Sequence, residues 1–140
     1  CIRDREMVMK VLVKYFAISL GAFLGGGLRF VIESLAPKST GSVVGVLLVN
    51  ACACLIIGIA TGLFLRHFTN DFWNKFLVSG FCGSLSTFSS FSAGLYMLLE
   101  KAGALETIGF IIIHFLITLI MVYLGLWISM GRQWKSLLLK

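Results

Sequence analysis

Long apolar runs, separated by short polar interruptions, dominate this chain. A helix needs about 20 mostly apolar residues to cross roughly 30 Å of hydrocarbon. Four segments have that length: 11–33, 42–65, 74–99 and 105–131. The second contains "SVVGVLLVNACACLIIGIATGLFL", without a single charge. The fourth contains "TIGFIIIHFLITLIMVYLGLWISM", where His114 is the one group that titrates near neutral pH. Neither alternates polar and apolar residues as a barrel strand would, so helices are expected.

The interruptions predict the connections. Residues 34–41, "SLAPKSTG", hold the only proline and read as a turn. Residues 66–73, "RHFTNDFW", are polar, with Asp71 the expected N-cap of the third helix and Trp73 an interface residue, as is Trp127. Residues 100–104, "EKAGA", close the third loop. The expected architecture is an all-α membrane protein, a four-helix subunit over 10–131. Residues 1–9 form an N-terminal extension, with Met7 or Met9 a candidate start, and 132–140 form a C-terminal tail.

Composition supports a membrane solvent. The chain is 59% hydrophobic and 13% charged, against roughly a quarter charged in soluble domains. The net charge of +6 comes from basic residues flanking the spans, which argues for lipid headgroups and against a nucleic-acid partner. Cys1, Cys52, Cys54 and Cys82 show no ligand spacing and read as small apolar fillers. Gly21 with Gly25, and Gly58 with Gly62, form small-xxx-small pairs that suit close helix packing.

A few polar groups interrupt the apolar spans. Asn50 lies about two turns into the second, where its amide must find a partner: either another helix or a conduction pathway. His114 and Thr118, one turn apart, make a short polar stripe on the fourth, with the imidazole expected neutral and bonded to a hydroxyl. The third carries "SGFCGSLSTFSSFSAG", residues 79–94, with seven hydroxyls. It fits no nucleophile, P-loop or dinucleotide motif, so no enzyme is expected. Clustered Gly, Ser and Thr form helix poorly. They predict a helix broken at 83–86, near the bilayer midplane. Such a break is tolerated where it lines water or holds an ion. Phe88 and Phe91 share a face there, and the positive edges of their rings could offer an anion a nearly dry path.

"GFCGSLSTFSSFS" closely resembles the signature of the Fluc (CrcB) fluoride channels, as do "GGGLRF" in the first span, "VN" in the second and the mid-span histidine in the fourth. The resemblance covers residues 10–131. It implies a channel that exports fluoride passively across the bacterial plasma membrane, built as an antiparallel dimer with two pores and a structural Na⁺ at its centre. It assigns the pore to Asn50, Phe88, Phe91, Ser89, Ser90 and Thr118, and the Na⁺ to the backbone carbonyls of Gly83 and Ser86. Ser84 and Ser86 stand where many members have Gly and Thr, and Gly94 where some carry Glu.

Two other classes compete. A small proton-coupled multidrug-type transporter needs an intramembrane carboxylate, whereas Glu33, Glu100 and Glu106 lie at span ends. A structural membrane subunit needs no polar break. Basic residues are unevenly shared between the faces. Arg3, Arg5, Lys10, Lys14, Arg66, Lys75, Arg132, Lys135 and Lys140 oppose Arg29, Lys38 and Lys101. That bias favours cytoplasmic termini and leaves a heterodimer with a paralogue beside the expected homodimer.

Overall fold

The computed structural model describes residues 2–35, 41–66 and 70–131, apart from the side chains of 2–4, 41 and 42. The Pro37 turn, Lys38 and the tail with Arg132, Lys135 and Lys140 lie outside the described residues, as do Cys1 and the side chain of Arg3. Helix α1 runs Ile2–Leu35 and α2 Gly41–Leu65. The third run begins with α3 (Asp71–Asn74), widens into a π-helical stretch (Lys75–Cys82) and closes with α4 (Gly83–Leu85). It resumes as α5 (Phe88–Lys101), and α6 (Ala104–Met130) completes the fold.

Three helices, α1, α2 and α6, are each long and apolar enough to cross a membrane. The residues expected as a separate N-terminal extension continue α1 without a break from Ile2. Its 34 residues make a rod of about 51 Å at 1.5 Å per residue. Large apolar side chains face outward, with Phe23 77%, Phe30 74% and Leu105 81% exposed. Such surface is stable where the solvent is itself apolar.

The third run departs from expectation at its start. Its cap is Asn70, not Asp71. Asn70 is extended (φ −85°, ψ 169°), and its side-chain oxygen accepts from Trp73 N–H at 3.2 Å. Asp71 is already helical and pairs instead with Lys14 of α1 at 3.0 Å. A cap must be extended for its side chain to fold back onto the first free N–H groups.

Glycine sets the packing distances, as the small-xxx-small pairs predict. A Cβ on Gly21 would collide with the Phe76 carbonyl, and one on Gly25 with the Phe81 carbonyl. Gly80 returns the contact, lying against Ile18 and Gly21 of α1. In the same way Gly58 meets Val122 and Gly125 across the α2–α6 contact, and Gly62 meets Ser129. Between these pairs Val49, Ala53 and Leu85 form a fully buried cluster, flanked by Ile32, Ile56 and Phe81. That cluster packs α2 against α4 and so brings Asn50 beside the end of α4.

Candidate functional site

The third run breaks at Ser86 (φ −71°, ψ 150°) and Thr87 (φ −147°, ψ 126°), both extended. A break over 83–86 was expected, but Gly83 is helical (φ −63°, ψ −29°), as are Ser84 and Leu85. Nothing at Gly83 demands glycine, since a Cβ there would meet only the Val78 carbonyl at 3.8 Å. The position of the break follows instead from what holds Thr87.

Asn50 holds it. Thr87 N–H donates to Asn50 Oδ1 at 2.8 Å, and Asn50 Nδ2 donates back to the Thr87 carbonyl at 3.3 Å. One side-chain amide thus pairs both backbone groups of one extended residue, as a neighbouring strand would. The glue reading of Asn50 applies, and the same residue also lines the cavity described below. On its other side Asn50 Nδ2 lies 3.2 Å from His114 Nε2. The imidazole was expected to bond a hydroxyl. Its partner is this amide, and the Thr118 hydroxyl donates back to the His114 carbonyl at 3.0 Å. Hydroxyls in membrane helices commonly bond their own preceding turn.

Downstream of the break α5 begins with Thr87 as its cap: Ser90 N–H donates to Thr87 Oγ1 at 3.2 Å. Ser89 Oγ and Ser90 Oγ lie 3.1 and 3.4 Å from the same oxygen. The two serines expected beside the pore therefore build the helix start. They are absent from the lining of the cavity.

Two carbonyls lose their helical donors here. Thr87 N–H turns to Asn50 rather than to the Gly83 carbonyl, and Ser90 N–H turns to Thr87 Oγ1 rather than to the Ser86 carbonyl. These are the two carbonyls expected to bind a cation. Oxygen ligands of this kind suit a hard cation, so the donor set fits Na⁺. Among the described residues no cluster of three His, Cys, Asp or Glu side chains offers a second kind of metal site.

Beside the break lies a cavity of about 260 Å³, lined by Asn50, Thr87, Phe88, Phe91, His114 and Thr118, with Cys54, Ser86 and Phe115. The two expected Phe residues differ. Phe91 is buried and packs on His114 with ring centroids 4.5 Å apart, whereas Phe88 is 76% exposed. Their own centroids are 5.9 Å apart. The lining is apolar rings and neutral polar groups, with no charged side chain. Four of the six expected pore residues, Asn50, Phe88, Phe91 and Thr118, meet at this cavity. His114, with no role assigned from sequence, joins them. The signal for it was present in the His114–Thr118 stripe.

The profile of the family described as "CrcB-like protein, Camphor Resistance (CrcB)" matches residues 16–126. This chain belongs to the CrcB family. The match takes in α2, the break and most of α6. Among curated relatives, a Haemophilus influenzae protein named "Fluoride-specific ion channel FluC" is 40% identical over 113 residues, 79% of this chain and 88% of its own length. Proteins of the same name from Thermococcus kodakarensis and Escherichia coli are 39% and 36% identical. Those alignments cover 78% and 81% of this chain, and 89% and 91% of the relatives.

Proposed function

We propose that this CrcB-family chain is the subunit of a fluoride-selective channel that lets fluoride leave the cytoplasm down its gradient. It is not an enzyme. The observation that carries the reading is a neutral, ring-lined cavity at a helix break, in a chain whose relatives are named fluoride-specific channels. Fluoride is small and tightly hydrated. A path for it must replace water with donors and ring edges, yet release the ion again. A fixed Lys or Arg would trap it. The cavity has neither. A proton-coupled transporter would need a carboxylate within the membrane, and the acidic residues, Asp4, Glu6, Glu33, Asp71, Glu100 and Glu106, stand at helix ends.

In this reading the 71–85 and 88–101 segments together make a fourth crossing, with the break near the midplane of the plasma membrane. Two subunits associate antiparallel, so that Phe88, exposed on one chain, meets the partner or the pore. The carbonyls of Gly83 and Ser86 from both subunits hold Na⁺, which supplies positive charge where helix carbonyls lack donors. A self-complementary homodimer is the simplest closed assembly. The nine-to-three distribution of basic residues favours one orientation, and a heterodimer with an oppositely biased paralogue is the alternative it raises.

Proteoliposome efflux tests the function. Fluoride efflux with chloride retained is the expected result, and equal efflux of both ions would refute selectivity. In cells, a cysteine tag at the C-terminus should label from both sides of the membrane. Labelling from the cytoplasm alone would point to the heterodimer.

A further inference from the structure

Where the N-terminal part of α1 meets the start of the third run, Met9, Lys10, Val13 and Lys14 face Asp71 and Phe72 across a groove of about 380 Å³. It shares no lining residue with the cavity at the break. Helical spacing builds its α1 wall. Residues 9 and 13 stack one turn apart, and so do residues 10 and 14. One stripe is therefore apolar and the next is cationic. The apolar stripe is open, with Met9 64% and Val13 45% exposed.

Neighbouring rings mark the level of the groove in the membrane. Phe72, Trp73 and Phe76 make edge-to-face contacts in sequence, with centroids 5.8 and 5.7 Å apart, and Trp73 is exposed. Aromatic side chains of this kind gather at headgroup depth. The Lys14–Asp71 ion pair, about half exposed, stands beside them. Lys10 lies about 6 Å farther out along α1, at 1.5 Å per residue. Asp71 is the one acidic residue in the lining against two lysines, so the groove is positive on balance. An ammonium group has more protons to give than a single carboxylate contact uses. Lys10 has no ion pair among the described residues.

A second copy of the chain, docked here about a two-fold axis, would set lysine against lysine. An anionic phospholipid matches both stripes. Its phosphate suits the ammonium groups, and an acyl chain suits the apolar wall. We propose that this groove seats an anionic phospholipid of the surrounding leaflet, its phosphate against Lys10 and Lys14 and an acyl chain along Met9, Val13 and Phe72. A lipid held there bridges α1 and the segment that leads into the break, beside the Lys14–Asp71 pair that already joins them.

Fluorescence of Trp73 tests this on the full chain. With Trp127→Phe and Trp134→Phe it is the one tryptophan left, and its ring stands against Phe72 of the groove. The protein is reconstituted in phosphatidylcholine vesicles holding the same fraction of either brominated phosphatidylglycerol or brominated phosphatidylcholine. Bromine quenches the indole on contact, and both leaflets carry the probe, so the orientation of the chain does not matter. Phosphatidylglycerol is expected to quench at least twice as strongly as phosphatidylcholine. Lys10→Gln with Lys14→Gln should abolish that excess. Lys10→Gln with Val11→Lys moves one charge about 100° around the helix at nearly the same depth, and should lose most of it. Equal quenching by the two lipids in the parent would overturn the proposal. An excess that survives the moved charge would do so too, since it marks a diffuse charged layer and no seat. Quenching by neither lipid would mean that protein fills the groove, and would equally sink the idea. The parent comparison and the moved-charge variant decide the matter even if Lys14→Gln, by releasing Asp71, fails to fold.

Discussion

The α2–α6 contact and the broken third run solve opposite problems. Between α2 and α6 the backbones satisfy themselves, and the difficulty is proximity. Gly58, Gly62 and Gly125 solve it by having no side chains in the way. In the third run the backbone does not satisfy itself at Ser86 and Thr87, and the difficulty is a surplus of polar groups. Asn50 solves it by supplying a side chain that pairs both groups of Thr87. One region is stabilised by deletion of atoms and the other by addition of them. The lesson is that a lipid solvent makes apolar packing undemanding, and steric fit and polar accounting then carry the fold.

The sharpest way to break the first region is Gly58→Leu. A Cβ there runs into the Val122 carbonyl and lies 3.0 Å from the Gly125 Cα. Backbone cannot yield as a flexible side chain does, so the cost should exceed about 3 kcal/mol, the upper end of ordinary overpacking. Loss of monodisperse protein in detergent is the expected outcome, and a well-behaved variant would show that α2 and α6 are not this close.

In the second region the corresponding change is Asn50→Ala. It strands Thr87 N–H and C=O in a buried site, at about 1–3 kcal/mol each. The thermal midpoint should fall clearly and fluoride efflux should stop. An unchanged midpoint would mean that the break holds itself. Thr87→Ser, which keeps the capping hydroxyl, should by comparison stay near the parent.

The smallest stability effects sharpen the contrast within the site. Phe91→Ala leaves a hole against His114, Phe110 and Phe115. Lipid is as apolar as the ring's surroundings, so most of the transfer term seen in soluble cores drops out. About 1–2 kcal/mol of lost packing remains, below the 3–5 kcal/mol typical of soluble proteins. Phe88→Ala, on an exposed ring, should leave the subunit's stability unchanged. Both are expected to slow fluoride efflux. If purified, folded Phe88→Ala conducts normally, that ring packs and does not conduct.

Much of this was legible in sequence because its causes are local. Apolar run length located α1, α2 and α6 to within a few residues, apart from the helical residues ahead of the first span. Glycine spacing announced the close contacts, since absence of a side chain has one common meaning in a membrane helix. Clustered hydroxyls and glycines announced a break in the third run, because they weaken a helix wherever it sits.

Tertiary structure decided which residue breaks, and what the polar groups do. The break was expected over 83–86, yet Gly83 stays helical, and Thr87 extends because Asn50, 37 positions away in the chain, is there to receive it. The cap at Asn70 in place of Asp71 depended on backbone angles that a one-residue shift of helix start exchanges. The resemblance assigned Ser89 and Ser90 to the pore, and the fold sets both beside the Thr87 oxygen that caps α5. His114 gained its partner from α2, 64 positions away. Periodicity and composition report what a segment prefers alone. A buried polar group takes whichever partner the packing of other helices brings within 3 Å or so, and that is fixed only when the chain is folded.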